Sequence, residues 1–185
     1  ACIANARSLT AMKHVGLNVA ADLVFTAAYN GVGAGFVIVT ADDPDMPSSQ
    51  NEQDNRRYAS FAKIPLIEPS DSQECKDFMK EAYEISERFD IPVLFRTTTR
   101  VSHSKSLVTF GEREEQSPAR YVRNIPKFVC TPAFARQHRP ELEEKIKALE
   151  AYANTSPLNT VELNGSKVGV LSASIAYQYA KEVFP

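Results

Sequence analysis

The chain lacks most of the features that mark specialised classes of protein. Of its 185 residues only three are cysteine, and Cys2, Cys75 and Cys130 lie far apart in an odd number. A disulfide framework needs pairs, and a zinc or iron–sulfur site needs close spacings such as C-x-x-C. Neither pattern is present, so the thiols read as reduced side chains of a cytoplasmic protein. No apolar run approaches the ~20 residues that a membrane span needs. Lys and Arg number 21 against 23 Asp and Glu, a net charge of −2 with no long run of one sign. That balance argues against a nucleic-acid or membrane-surface module, whose first mark is clustered positive charge. The motifs G-x-G-x-x-G, G-x-x-x-x-G-K-[ST], G-x-S-x-G and H-E-x-x-H are also missing. Dinucleotide, P-loop, serine-hydrolase and zincin readings therefore lose their main support.

What is present is core-forming material: 43% of the residues are hydrophobic, enough for a sizeable buried interior. Strand and helix signals alternate. Ser8–Met12 is a short strand, after which Asn18 is expected to cap a helix running to about Tyr29. That helix is apolar nearly all round, which predicts burial. Gly31, Gly33 and Gly35 stop it. Phe36–Ala41 is an uninterrupted β-rich run without the alternation of a half-exposed strand, the pattern of a central parallel strand covered on both faces. A helix is expected over about 51–63 with Tyr58, Phe61 and Ala62 on its inner face. The strand Ile64–Ile67 follows, and Pro65 marks it as an edge or a strand beginning. Ser70 and Asp71 open a helix to Phe89, with Glu74 placed to complete the cap, and Ile91–Phe95 is a further strand. The order βαβαβαβ predicts a three-layer α/β/α fold with a mostly parallel sheet. Residues 111–131 read as a surface linker, Pro140 to about Ala153 as a charged helix, Lys167–Leu171 as a new strand and Ile175–Phe184 as the helix behind it. One βα unit cannot build a sheet, and the opening Ala1-Cys2-Ile3-Ala4 looks entered in mid-helix. Both ends are thus expected to belong to a longer polypeptide.

In a parallel sheet the loops after the strands share one edge, and ligands bind along it. Here those loops hold Lys13, His14, Gly16 and Asn18; then Asp42, Asp43, Ser48, Ser49, Gln50, Asn51 and Asp54; then Arg96 to Arg100, Ser102 and His103. Each has a plain structural reading beside a functional one. His14 either hydrogen-bonds a carbonyl or works at a site beside Gly16. The stretch 48–54 is either a solvated loop or part of a contact. The basic stretch 96–105 is either a solvated strand end or a contact to an anion or a facing subunit.

Several of these segments resemble one family. Met12-Lys13-His14-Val15-Gly16-Leu17-Asn18-Val19-Ala20-Ala21-Asp22, Ala41-Asp42-Asp43-Pro44, Ser48-Ser49-Gln50-Asn51-Glu52-Gln53-Asp54 and Arg96-Thr97-Thr98-Thr99-Arg100-Val101-Ser102-His103 are similar to the alpha subunit of indolepyruvate:ferredoxin oxidoreductases. So are Phe61–Pro65, Glu68–Asp71, Ser156–Asn159 and Ala176–Glu182, in the same order along nearly the whole chain. The resemblance implies an enzyme that uses thiamine diphosphate with Mg²⁺ and 4Fe-4S clusters. Such an enzyme oxidatively decarboxylates aryl pyruvates to acyl-CoA and reduces ferredoxin, working with a beta subunit. It implies a pyrimidine-binding-type α/β domain over 1–106, truncated at its N-terminus, a linker with a charged helix over 107–157, and the start of a transketolase-C-terminal-like domain over 158–185. In the family the catalytic glutamate precedes the first strand seen here, so no glutamate of this chain is assigned that role. No Mg²⁺, diphosphate or cluster ligands are assigned either, and this chain alone is expected to be inactive. What the resemblance leaves is His14 as the catalytic group, proton donor or electrostatic clamp, and Gly16 and Asn18 beside the cofactor. Ser48, Ser49, Gln50, Asn51, Asp54, Arg96 and Arg100 are left at a substrate or interface contact. Pyruvate- or 2-oxoglutarate-type enzymes, a non-catalytic anion- or nucleotide-binding module and a pure interaction subunit are the rival readings.

Overall fold

The computed structural model describes residues 1–113, 115, 117 and 119–184. A short 3₁₀ turn (Cys2–Ala4) leads into β1 (Ser8–Lys13), α1 (His14–Val19), α2 (Ala21–Asn30), β2 (Phe36–Asp42) and α3 (Arg56–Ala62). These are followed by β3 (Leu66–Ile67), α4 (Ser72–Phe89), β4 (Val93–Thr98), α5 (Thr99–His103), α6 (Ile125–Phe128), α7 (Pro132–Ala153) and α8 (Ile175–Val183). The four strands form one sheet in the order β1-β2-β4-β3, and every pairing is parallel. The uninterrupted β-rich run of β2 indeed lies between two neighbours, and β3 beside Pro65 is an edge. This is the expected α/β fold.

Chain direction across the sheet reverses once, between β3 and β4. With right-handed crossovers this puts α4 on the face opposite the helices that link β1 to β2 and β2 to β3. All six residues of β4 are buried, as a strand covered on both faces requires, whereas β1 alternates half-buried and exposed residues. The core joins Leu17, Val24 and Ala28, Val37 and Ile38, Ala82 and Ile85, and Val93, Leu94 and Phe95. Helix α4 opens as expected: the Asp71 carboxylate accepts from Glu74 N at 2.8 Å, and Glu74 Oε2 accepts from Ser70 N at 2.7 Å. It ends at Asp90 in the left-handed region (φ 52°). The Asp90 carboxylate accepts from Val32 N, Lys127 Nζ and Lys145 Nζ at 2.8–2.9 Å, so α6 and α7 are fastened across the edge where the strands begin.

Several expectations need correction. Asn18 is not a cap: α1 starts directly at His14, and Asn18 lies exposed inside it. The first helix is not buried all round, because it breaks at Ala20 into two pieces that bury only His14, Leu17, Val24 and Ala28. Val19 and Leu23 are 89% and 71% exposed. Phe61 faces outward and meets Phe25 edge-on at 4.7 Å, while Ala59 and Ala62 fill the inner face. The helix expected over 51–63 is shorter, because strand-end carboxylates hold residues up to Asn55 as a loop. Helix α7 starts eight residues before Pro140. The proline removes one backbone bond inside the helix, a cost of about 3 kcal/mol, which packing of Leu142 and Leu149 into the core offsets. Residues 167–171 pair with no described strand, and Val168 and Leu171 are exposed, since an extended segment without a ladder partner is not a strand. The expected linker and final segment include positions 114, 116, 118 and 185, outside the described residues.

Candidate functional site

The carboxyl ends of the strands bring His14 (after β1), Asp42 and Asp43 (β2), Glu68 (after β3) and Arg96 to Thr99 (β4) to one edge. His14 is fully buried, with a relative exposure of 0%. Its Nε2 lies 3.1 Å from the Asn51 carbonyl. A carbonyl only accepts, so Nε2 carries the proton and donates. In the neutral ring Nδ1 is then an acceptor, and it is buried without a hydrogen-bond partner. Gly16 lets α1 close onto β1, since a Cβ there would stand 3.1 Å from Met12 Cβ. Asn18 Nδ2 donates to Gln53 Oε1 at 3.3 Å, a second contact between α1 and the loop over 43–55.

That loop is tied down at both ends. At its start the Asp43 carboxylate accepts from Ser48 N at 3.0 Å and from Thr99 Oγ1 at 2.5 Å. The Ser49 hydroxyl also faces this carboxylate. The hydroxyls of Ser49 and Thr99 hold the Asp43 carboxyl down to about 2. At the loop's end, Asn55 N donates to Asp42 Oδ2 at 3.0 Å, and Asn55 Nδ2 donates to Thr40 Oγ1. Asp54 is drawn aside by Arg56, which binds it through Nε at 2.7 Å and Nη2 at 2.9 Å. Ser48, Gln50, Asn51 and Arg100 are exposed, and Ser49 and Asp54 are half-buried.

Arg96 stands apart from the other candidates. It is 5% exposed, and its guanidinium donates through Nε to Asp42 Oδ2 at 2.6 Å and through Nη1 to Glu68. It therefore lies neither at an exposed strand end nor on an open surface of the described chain. Thr40, Asn55 and Glu68 complete this buried polar group and were not singled out from the sequence. Thr40 is the polar interruption of the apolar run of β2, which is the one signal that could have found it. The concavities around Asp90 and Lys145 lie at the opposite edge and contain none of these residues. Among the described residues no cluster of three or more His, Cys, Asp or Glu is arranged to hold a metal ion, and the three cysteines are unpaired. No described helix is long and apolar enough to cross a membrane.

A parallel sheet with helices on both faces and its polar groups at the carboxyl edge defines a class of three-layer α/β domain. A 2-oxoglutarate:ferredoxin oxidoreductase from Magnetococcus marinus, solved with 2-oxoglutarate, coenzyme A and succinyl-CoA bound, shares this fold. Its TM-score is 0.56 at 12% identity, over 82% of this chain and 34% of that one. No family model matches the chain. Curated relatives do: the indolepyruvate oxidoreductase subunit IorA of Methanothermobacter marburgensis is 50% identical over 97% of the chain. IorA of Archaeoglobus fulgidus is 45% identical over 98%, and that of Pyrococcus horikoshii 46% identical over 97%. On identity of this extent the chain belongs to the IorA family. It spans 29–30% of the length of these relatives.

Proposed function

We propose that this chain supplies one side of the reaction centre of a 2-oxoacid:ferredoxin oxidoreductase of the indolepyruvate type. The overall reaction would convert an aryl pyruvate and coenzyme A to an acyl-CoA and CO₂ while reducing ferredoxin, in a complex of alpha and beta subunits. Residues 1–106 would form the pyrimidine-side domain, 107–157 the connection and 158–185 the start of the next domain. The support is the identity to IorA and one feature of the geometry, a buried histidine at the carboxyl edge with an unpartnered acceptor.

That acceptor fits the aminopyrimidine half of thiamine diphosphate, which presents N–H groups. The described residues offer no ligand set for Mg²⁺ or a 4Fe-4S cluster, so those groups would be held elsewhere in the whole enzyme. Thiamine diphosphate supplies the electron sink for decarboxylation. The work of this chain is to orient and hold a proton. The Asn51 carbonyl fixes the His14 ring, Nδ1 takes or returns a proton, and burial keeps water from it. Gly16 allows the close approach of α1, and Asn18 with Gln53 braces the loop above. The exposed Ser48, Gln50, Asn51 and Arg100 would form the substrate or subunit contact that closes the site, with Ser49 and Asp54 behind them.

The test is His14→Ala in the whole alpha–beta enzyme, assayed by indolepyruvate-dependent ferredoxin reduction. Loss of a positioned acid–base group lowers kcat by about 100-fold or more, with assembly unchanged on gel filtration. Turnover equal to that of the unmodified enzyme would show that His14 serves packing only.

A further inference from the structure

We infer that Arg96 is a positioning residue. With Asp42 and Glu68 it anchors the loop over 43–55, whose Asn51 carbonyl sets the tautomer of His14. This rests on the reading of His14 given above. The starting point is register. Thr40 of β2 pairs with Arg96 of β4, and Asp42 lies two residues further along, on the same face. Leu66 and Ile67 pair with Leu94 and Phe95, so Glu68 arrives at the level of Arg96 from the other side. Arg96 is thus flanked by an acid from each neighbouring strand and donates to both. One guanidinium holds two carboxylates, of which Asp42 has a side-chain exposure of 1% and Glu68 of 11%. A planar fork with several donors can bridge both, whereas a lysine ammonium is a compact charge that serves one well.

What Asp42 holds in turn is the loop. Its Oδ2, which accepts from Arg96, also accepts from Asn55 N at 3.0 Å. Asn55 is fully buried and closes the loop that starts at Asp43. Between these ends Asp45 (φ 67°) and Met46 (φ 52°) sit in the left-handed region, which is unfavourable for a side chain such as Met and persists only under constraint. The loop meets α1 at His14 and Asn18, and His14 is fully buried. If its end is released, the Asn51 carbonyl leaves Nε2, and neither ring nitrogen is then fixed as donor or acceptor. Among the described residues the Arg96 guanidinium donates to Asp42 and Glu68, and through Asp42 its effect on the reaction passes to the loop.

The experiment uses the whole alpha–beta enzyme with Arg96→Lys, Arg96→Met and Glu68→Gln. Peptide-resolved amide hydrogen exchange is read beside steady-state kinetics. Breaking a buried pair releases the loop, so exchange within 43–55 in Arg96→Met rises on the order of 100-fold while the core of β2 and β4 stays protected. kcat falls by about 100-fold, the effect of small misplacement at a reacting centre, and KM for the 2-oxoacid stays within about twofold. Arg96→Lys and Glu68→Gln give intermediate values of both, and they carry the test if Arg96→Met does not assemble. Unchanged exchange over 43–55, or a rise spread evenly over the chain, overturns the positioning role. So does a raised KM with kcat retained, the signature of a direct substrate contact. Undiminished turnover in His14→Ala is a separate result: it would remove the reading of His14 while leaving the exchange data to decide on the loop.

Discussion

Ser86 is the point at which one hydroxyl ties three elements together, and its replacement gives a clear test of the fold. It lies on the inner face of α4 with no exposure. Its Oγ accepts from Phe36 N, the first residue of β2, at 2.9 Å, and donates to the carbonyl of Ile91, two residues before β4, at 2.7 Å. Ser86→Ala deletes both bonds and leaves an N–H and a C=O inside the protein. Each unsatisfied buried group costs about 1–3 kcal/mol. Two such losses sum to roughly 2–6 kcal/mol, and single substitutions rarely exceed about 4–5. Alanine returns about 0.5 kcal/mol through its higher helix propensity. The expected loss is therefore about 2–4 kcal/mol, or about 5–15 °C in Tm for a chain of this size. The assay is urea unfolding followed by circular dichroism, with the m value unchanged so that the shift in midpoint reports stability alone. Ser60→Ala is the control: this exposed hydroxyl donates to the Arg57 carbonyl at 3.3 Å, and its loss should stay within about 0.5 kcal/mol. If Ser86→Ala also stays within that range, the reasoning that this hydroxyl joins α4 to both strands is wrong.

Other expectations concern titration and reactivity. The Asp43 carboxyl, held near 2 by Ser49 and Thr99 against the usual 3.8, has its folded-state value depressed. Its stabilising contribution is therefore complete above about pH 4 and lost as pH falls toward 2. Thr99→Val should raise the Asp43 value and move acid unfolding to higher pH. Carboxyl NMR titration checks this, and an Asp43 titration that does not move would count against the contact. Burial, with Asp71 and Glu74 adding negative charge, pushes the Cys75 thiol up to about 11, so at pH 8 roughly one molecule in a thousand carries the reactive thiolate. Iodoacetamide should label the exposed Cys130 first and Cys75 far more slowly. Equal labelling rates, read by mass spectrometry, would contradict that environment for Cys75.

Much of the scaffold is set by local pattern. The uninterrupted β-rich run of Phe36–Ala41 marked a central parallel strand, Pro65 marked an edge, and Asp71 with Glu74 marked the start of α4. These signals are short-range. They depend on the side-chain period, on an imino acid that cannot donate, and on a carboxylate three residues from a free N–H. The alternation of strand and helix also places His14, the 48–54 stretch and Arg96 at one edge. The loss of Phe61 from the inner face and the exposure of Val19 and Leu23 show where pattern stops, because an apolar side chain is buried only if another element covers it.

The roles within the site were decided by tertiary structure alone. Arg96 in a basic stretch gives no sign that it is held inside by acids 54 and 28 residues away. Nor does the sequence single out Asn55 as the anchor of a loop. Whether His14 offers Nε2 or Nδ1 depends on a carbonyl 37 residues on, brought over it by that loop. Backbone carbonyls are identical at every residue, so sequence determines that a histidine stands at the carboxyl edge, and only the fold decides which of its nitrogens is left to act.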